Sequence, residues 1–385
     1  MNIPHLDLQD LDLVALDQAC SQWGFFKLSG HQIPPHLIRE VMAQTSRFFQ
    51  QPHAQKQKIA RSADNAWGYF DAELTKNRRD WKEILDIGPA VTSGPLAGSF
   101  PQWPDQAGFQ EVMMALESHF HSIALELVRS ITATLGSVED LTTAFDDHSS
   151  FLRLNYYRPC PDPAPADAGF VPLKGELGIS HHTDAGALTV LLQDEQPGLQ
   201  VYRDSRWHTI TPSENALIIN IGDIVQVWSN DRYQAPLHRV LANANQPRIS
   251  TPYFLNPNYD YDYAPLAATL LEAEPKYNAI NWGYFRSQRS QGDYADHGEE
   301  IQIANFSLCS GSCSTSADAG QPVNQKSHAQ NLTVYAQAHQ PSQFCGTASE
   351  FLPTEYAAAF PPDDFPYSDG CQSQKTSAGA RGHDQ

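Results

Sequence analysis

Between residues 151 and 255 the chain consists of short β-branched and aromatic runs separated by Pro, Gly, Asn and Asp. Such runs are typical of β-strands, and many strands at short spacing indicate a sandwich or a barrel. We predict strands at 151–157, 178–182, 187–193, 199–202, 216–221, 224–228, 238–241 and 250–255. This series constrains the possible folds more than any other feature of the sequence.

The first part of the chain has a different pattern. Apolar residues recur at spacings of three and four in 10–23 and 35–49, which predicts two amphipathic helices, with a strand at 24–28 between them. A longer helix is predicted at 109–135. Its end is placed before Gly136, because glycine is favoured just after the last turn of a helix. The order of elements indicates a mainly β fold in which a helical N-terminal region covers a double-sheet core.

Composition excludes some functions and divides the chain. The 385 residues carry a formal charge of −19, which argues against nucleic acid or an anionic membrane as a partner. The N-terminus has neither a basic start nor an apolar signal core, so a cytoplasmic protein is expected. We predict a helical N-terminal region at 1–145, a β domain with a C-terminal helix at 146–308, and a disordered tail rich in Ser, Gln, Ala, Gly and Pro at 309–385.

One short segment carries the strongest chemical signal. His182 and Asp184 are two residues apart in a β-rich run, so their side chains are expected on the same face of a strand. His238 is available downstream as a third ligand. Two histidines and one carboxylate, with coordination positions left open, form the metal-binding set of non-haem Fe(II) oxygenases.

Two further pairs have the same spacing. Arg248 and Ser250 would present a guanidinium and a hydroxyl on one strand face, which suits a carboxylate ligand. Asn155 and Tyr157 would place an amide beside a phenol. Each pair alone has an ordinary explanation, and it is their coincidence with the metal-binding pattern that favours a single site.

The motifs NYYRPC (155–160), HTDAGALT (182–189), HRVLAN (238–243) and RIS (248–250) resemble those of a known family. This family is the Fe(II)/2-oxoglutarate-dependent dioxygenases of the isopenicillin N synthase-like group, which includes anthocyanidin synthase and flavonol synthase. The resemblance extends over residues 3–308 and includes ACSQWGFF (19–26). It implies a distorted double-stranded β-helix (jelly roll) with helices packed on one side.

The resemblance also implies ligands and an activity. The iron ligands would be His182, Asp184 and His238. The residues that bind 2-oxoglutarate would be Arg248, Ser250, Tyr157 and Asn155. A monomeric enzyme would use Fe(II), 2-oxoglutarate and O2, with ascorbate as reductant, to hydroxylate or desaturate a small organic molecule and release succinate and CO2.

Three residues are candidates for substrate contact. Phe254 lies where flavonoid-type relatives place a stacking aromatic, with core packing as the alternative. Ile84 and Asp86 belong to DWKEILD (80–86), which resembles the family segment that closes over the pocket. The Arg-rich and aromatic segment 281–294 is predicted to present a solvated helix face, although the resemblance would put a helix over the pocket mouth.

Three other functions are compatible with parts of this pattern. An oxidase of the same fold that does not use 2-oxoglutarate would keep an Arg-x-Ser pair, but the Asn155 and Tyr157 pair favours use of 2-oxoglutarate. A catalytically silent ligand-binding protein is disfavoured because the metal-binding pattern is intact. A hydrolytic zinc site would share the ligands and leave Arg248 and Ser250 without a role.

Overall fold

The fold is dominated by β-strands. The computed structural model describes residues 3–62, 64–172, 174–271, 273–291 and 301–308, which contain sixteen strands and six α-helices. The strands are β1 (His5–Asp7), β2 (Phe25–Ser29), β3 (Gly68–Phe70), β4 (Leu74–Thr75), β5 (Arg78–Arg79), β6 (Glu83–Ile87), β7 (Phe151–Tyr157), β8 (Leu177–His182), β9 (Leu188–Gln193), β10 (Leu199–Arg203), β11 (Arg206–Thr209), β12 (Leu217–Ile221), β13 (His238–Leu241), β14 (Arg248–Leu255), β15 (Asp262–Tyr263) and β16 (Ile280–Asn281). The helices are α1 (Leu13–Gln22), α2 (Pro35–Phe49), α3 (His53–Lys56), α4 (Phe109–Thr134), α5 (Asp223–Trp228) and α6 (Trp282–Gln291). The tail predicted at 309–385 lies outside the described residues.

Two sheets face each other across a cavity. The larger has eight strands in the order β1-β2-β12-β9-β14-β7-β6-β3, and the smaller has four in the order β11-β10-β13-β8. Neighbouring strands are antiparallel except for β1 and β2. Side chains from both sheets line the same cavity. The sequence-based expectation of a mainly β fold with flanking helices is therefore confirmed.

The larger sheet is buried on both faces because its strands alternate between two apolar clusters. On β9, Leu188, Val190 and Leu192 pack into the main core together with residues of α1, α2 and α4. Leu191 points to the opposite face, where it joins a smaller cluster between the two sheets. Successive side chains of a strand alternate between faces, so the helices cover one face while the cavity opens on the other.

Several predicted elements agree closely with the structure. The helix predicted at 35–49 is α2, and the strand predicted at 151–157 is β7. The long helix α4 ends one residue earlier than predicted, and Gly136 takes a φ of 76° after it. None of the helices in the described residues is both long enough and apolar enough to traverse a bilayer.

The strand predicted at 224–228 is wrong, because this segment forms α5. Four of its apolar side chains, including Ile224 and Trp228, are buried, so its pattern has no polar face from which the period could be read. The turn into the helix is held by the N–H groups of Gly222 and Asp223, which donate to the carbonyls of Ala187 and Asp184 at 2.8 Å each. These long-range bonds are not visible in the local sequence.

The N-terminal region contains more strand than its helical pattern indicates. Strands β1, β2, β3 and β6 belong to the larger sheet, and β4 pairs with β5 as a separate hairpin. The sequence EILDI of β6 does not alternate, since all five residues are buried, and Glu83 and Asp86 are tolerated there through ion pairs. Buried charges therefore hid this strand from the hydrophobic pattern.

Outside the cavity, two histidine rings contact each other between α4 and the segment that precedes β7. The ring centroids of His121 and His148 are 4.6 Å apart, and Nδ1 of His121 lies 2.8 Å from the Tyr253 hydroxyl. Burial lowers the pKa of both rings; His121 adds to the effect on His148, whose pKa falls from 6.5 to about 4 although Asp147 opposes the shift. Because the folded pKa is depressed, His148 contributes stability above pH 6.5, and this is lost as the pH falls towards 4.

We expect His148→Gln to weaken the dependence of stability on acid pH. Between pH 6.5 and 4 the wild type should lose about 1–2 kcal/mol more unfolding free energy than the variant, after allowance for solvent screening. Urea unfolding at several pH values measures this difference. The exposed His36 offers a matched control, His36→Gln, which should leave the slope unchanged. Equal slopes for wild type and His148→Gln would contradict the assignment.

Candidate active site

The three candidate metal ligands converge at one end of the smaller sheet. His182 ends β8 and lies opposite His238, the first residue of β13, in the strand register. Asp184 Oδ1 is 3.6 Å from Nε2 of each histidine, and one ligand atom from each residue lies within 4.8 Å of the others. Contrary to the sequence-based expectation, Asp184 is not on the strand, because β8 ends two residues before it. The turn that follows, and not the pleat, brings the carboxylate to the histidines.

Backbone carbonyls orient both imidazole rings. Nδ1 of His182 is 2.9 Å from the Ser180 carbonyl, and Nδ1 of His238 is 3.0 Å from the Pro236 carbonyl. A carbonyl can only accept, so we assign the proton to Nδ1 and leave the Nε2 lone pair facing Asp184. Burial and the neighbouring His238 lower the pKa of His182 to about 3. The ring is therefore neutral, as a metal ligand must be.

The Asp184 carboxylate is held by residues that the sequence analysis did not single out as functional. Its Oδ2 accepts hydrogen bonds from the Thr189 hydroxyl and from Asn220 Nδ2, the latter at 2.8 Å. Burial raises the pKa of Asp184, but His238, His182 and these two donors outweigh it, and the net shift is downward. The charged form is thus favoured, which suits a cation between the three side chains.

The three candidate metal ligands line a cavity whose volume, including its open mouth, is about 1080 Å³. Its walls come from both sheets and from α6, and all four residues predicted to bind 2-oxoglutarate line it. These residues are Asn155, Tyr157, Arg248 and Ser250. The strand positions explain this, since each pair occupies alternate positions of one strand, β7 or β14, on the face turned towards the smaller sheet.

Arg248 is buried with part of its hydrogen-bonding capacity unused. Its Nη2 donates to Gln193 Oε1 at 2.8 Å, and its guanidinium lies 5.0 Å from the centroid of the Tyr157 ring. Its Nη1 is buried and has no hydrogen-bond partner among the residues that the structure describes. A buried N–H group of a cation costs free energy when it has no hydrogen-bond acceptor. An anion can supply that acceptor, and the geometry of a carboxylate matches that of a guanidinium.

The amide of Asn155, which lines the same cavity, also has a buried polar atom without a partner. Its Nδ2 lies 3.4 Å from Ser250 Oγ, while its Oδ1 is buried and unpartnered within the described part of the chain. Two imidazole nitrogens and a carboxylate suit Fe(II), and the unused groups of Arg248 and Asn155 suit an organic acid beside it. The residues present therefore fit both an iron ion and 2-oxoglutarate.

The remaining wall of the cavity combines aromatic and charged side chains. Phe254 lines the cavity, as one of the two sequence-based alternatives expected, and its ring centroid is 4.9 Å from that of Phe151. Arg153 lies 5.8 Å and 5.9 Å from the two ring centroids. Glu73 and Lys82 complete this wall, and their Oε2 and Nζ atoms are 2.6 Å apart.

Ile84 and Asp86 do not line the cavity, contrary to expectation. Both lie on β6, opposite Asn155 and Arg153 of β7, and so face the same side as these lining residues. Asp86 binds Arg153 through two hydrogen bonds of 2.7 and 2.9 Å and is therefore separated from the cavity by the guanidinium. Ile84 is fully buried. These residues support the wall and do not form its surface.

Helix α6 closes another side of the cavity. Trp282, Arg286 and Arg289 are spaced to share one helix face, and all three line the cavity. Arg289 Nη2 donates to the Thr183 carbonyl at 2.9 Å, beside the candidate metal ligand Asp184. The interpretation of this segment as a solvated face is wrong for these positions, and the helix at the pocket expected from the resemblance is found. Residues 292–294 lie outside the described part.

Comparisons with known proteins agree with this geometry. Residues 148–257 match the family model described as 2OG-Fe(II) oxygenase superfamily, and residues 3–106 match that of the non-haem dioxygenase N-terminal region in morphine synthesis. Gibberellin 2-beta-dioxygenase 6 of Oryza sativa subsp. japonica is 34% identical over 297 residues, which cover 76% of this chain and 78% of that protein. The chain belongs to the 2OG-Fe(II) oxygenase superfamily.

Other known proteins are similar to this oxygenase in sequence or in three-dimensional structure. Oxoglutarate-dependent flavonoid 7-O-demethylase 1 of Ocimum basilicum is 30% identical, with 71% of this chain and 73% of that protein covered. The crystal structure of JOX2 in complex with 2OG, Fe and JA superposes with a TM-score of 0.66 at 27% identity, covering 79% of this chain and 88% of that one. The crystal structure of the dioxygenase for auxin oxidation in rice gives 0.61 at 25% identity, covering 80% and 100%. This oxygenase is an Fe(II)- and 2-oxoglutarate-dependent oxidoreductase.

Proposed function

We propose that this oxygenase oxidises a small organic molecule at a centre formed by His182, Asp184 and His238, with Arg248 as the anchor of 2-oxoglutarate. The fold assigned to it is the distorted double-stranded β-helix, with residues 1–145 as an N-terminal region and 146–308 as the catalytic domain. Both parts would contribute to the site, since Phe25, from the N-terminal region, lines the same cavity as the ligands. The reaction class is hydroxylation or desaturation, with succinate and CO2 as co-products.

The observation that carries this proposal is the unused, buried Nη1 of Arg248. The distal carboxylate of 2-oxoglutarate would complete it, and the Ser250 hydroxyl and Tyr157 phenol on the same face would add hydrogen bonds. Asn155 is opposite Ser250 in the strand register, two positions along β14 from Arg248, so its amide would face the other end of the cosubstrate. The diacid is then held by both ends in one orientation.

Iron bound by the three ligands supplies the redox chemistry by which O2 oxidises both 2-oxoglutarate and the substrate. The side chains of this chain supply position and a dry environment. The two imidazoles are oriented by the Ser180 and Pro236 carbonyls, and Asp184 stays ionised. Apolar residues of the cluster between the two sheets, such as Leu191 and Val240, line the cavity together with Tyr157 and would help to exclude water from it.

The aromatic wall supports an organic substrate with an apolar part. Phe151, Phe254 and Pro252 line the cavity on the side away from Arg248, and the Arg153 guanidinium packs on both phenyl rings. The names of two relatives refer to small organic molecules: one is a gibberellin dioxygenase and the other a flavonoid demethylase. We assign the same broad class to this oxygenase and place its substrate against Phe254.

Conversion of 2-oxoglutarate to succinate tests the role of Arg248. Purified protein with Fe(II), ascorbate and O2 should form succinate, and Arg248→Met should raise the KM for 2-oxoglutarate about 10–150-fold. This range corresponds to the roughly 1.5–3 kcal/mol of a hydrogen bond to a charged group. Arg232→Met, at a half-exposed arginine that pairs with Asp17, is the matched control and should leave KM unchanged. An unaltered KM in Arg248→Met would refute the assignment of this anchor.

A further inference from the structure

Two hydrogen bonds meet on a single oxygen of the Asp184 carboxylate. The Thr189 hydroxyl and Asn220 Nδ2 both donate to Oδ2, and both donor residues are buried. The other oxygen, Oδ1, is the one that lies 3.6 Å from each histidine Nε2. The two oxygens of this carboxylate therefore have different partners.

The sheet determines this difference. Thr189 on β9 and Asn220 on β12 are directly opposite in the strand register, so their side chains project together from one face. Their neighbours Leu188, Val190 and Ile219 point into the main core on the other face. Both donors therefore project towards Asp184 from strands that are buried on both faces.

We propose that Thr189 and Asn220 are positioning residues that reserve Oδ2, so that Asp184 presents only Oδ1 to the metal. This inference rests on the proposed iron ligands. A carboxylate free to turn can offer both oxygens to one cation, and the second oxygen would then occupy a coordination position. Holding Oδ2 in two hydrogen bonds leaves that position to 2-oxoglutarate or O2.

If Thr189 and Asn220 had only a structural role, it would be to supply hydrogen bonds to the buried carboxylate of Asp184. That role predicts lower stability on removal of a donor but no change in the metal environment once the protein is folded. The positioning role predicts weaker metal binding and a changed coordination sphere in the folded protein. Partners of metal ligands commonly contribute about 10–100-fold in metal affinity. Metal binding and spectroscopy therefore separate the two roles.

The variant Thr189→Val removes one donor with almost no change in shape. Thr251→Val is a matched control, because Thr251 is a fully buried strand residue whose hydroxyl has no hydrogen-bond partner in the described residues. Thr189→Ser restores the hydroxyl, and Asn220→Leu removes the second donor. Thermal unfolding of each variant checks that it remains folded before metal is added.

Anaerobic titration with Co(II), followed through its visible ligand-field bands, is the measurement. We expect Thr189→Val and Asn220→Leu to bind Co(II) about 10–100-fold more weakly. Their band intensities should also change, because these bands depend on coordination number and geometry. Thr189→Ser and Thr251→Val should match the wild type in affinity and in spectrum.

The outcomes distinguish this inference from the proposed function. If the wild type binds no Co(II) and forms no succinate, the proposed iron site itself is refuted. If the wild type binds Co(II) and folded Thr189→Val and Asn220→Leu give the same affinity and spectrum, the positioning role is refuted while the iron site stands. Lower thermal stability with an unchanged spectrum likewise assigns the two residues to structure alone and overturns the inference.

Discussion

Asp184→Ala is expected to abolish succinate formation in the presence of Fe(II), 2-oxoglutarate and O2. The carboxylate is the one anionic member of the cluster formed with His182 and His238, and its Oδ1 is 3.6 Å from both Nε2 atoms. Its removal deletes a ligand and the charge that favours a divalent cation. The loss of activity should exceed the roughly 10–100-fold commonly caused by losing a supporting partner of a metal ligand.

The same variant should lose iron in a direct assay. Bound iron per chain, measured after desalting, should fall to the background level, while the fold persists because the Asp184 carbonyl still accepts from the Asp223 N–H. Asp204→Asn, at an exposed aspartate that contacts Arg203, is a suitable control, because Asn tolerates the φ of 48° at this position, and it should retain both iron and activity. Wild-type iron content and turnover in Asp184→Ala would show that the metal is bound elsewhere.

The second large effect is expected on stability. Arg153 binds Asp86 through Nε and Nη2 at 2.7 and 2.9 Å, and its Nη1 donates to Glu73 Oε2 at 2.9 Å. Both acids are almost completely buried. Burial raises the pKa of Glu73, yet Arg153 and Lys82 outweigh it and hold the group ionised. Arg153→Met would leave buried negative charge without its main partner and should lower the unfolding free energy by about 3–5 kcal/mol.

Urea unfolding at neutral pH measures this loss. The half-exposed pair of Arg232 and Asp17 provides the control, because Arg232→Met should cost no more than about 1 kcal/mol. The same Arg153→Met variant should also loosen Phe151 and Phe254, against which the guanidinium packs. A change below about 1 kcal/mol in Arg153→Met would mean that Lys82 and Arg61 suffice to hold the two acids.

Local periodicity predicted the elements that are amphipathic. Helix α2 has one apolar face, and its limits follow from the spacing in 35–49. Two residue pairs were predicted from alternate positions of a strand, Asn155 with Tyr157 and Arg248 with Ser250. Both pairs line one cavity, because the pleat puts residues i and i+2 of a strand on the same face. His182, Asp184 and His238 converge, although through a turn and not through a continuous strand.

The features that sequence reasoning missed depend on long-range pairing. Glu73 and Lys82 line the cavity, and Glu73 is held there partly by an ion pair with Arg153, which is 80 residues away in the sequence. Asn220 lies in the buried strand β12, and its importance follows from its place opposite Thr189. The sequence of α5 predicts a strand because a segment this short, with four buried apolar side chains, has no readable period.

The most direct test of the iron and cosubstrate sites is an anomalous difference map at the iron edge, from crystals grown anaerobically with Fe(II) and 2-oxoglutarate. We expect one iron peak bounded by Nε2 of His182, Nε2 of His238 and Oδ1 of Asp184, with a carboxylate of 2-oxoglutarate on Arg248 Nη1. Iron bound away from these three side chains, or a cosubstrate that leaves Arg248 unpaired, would contradict the account.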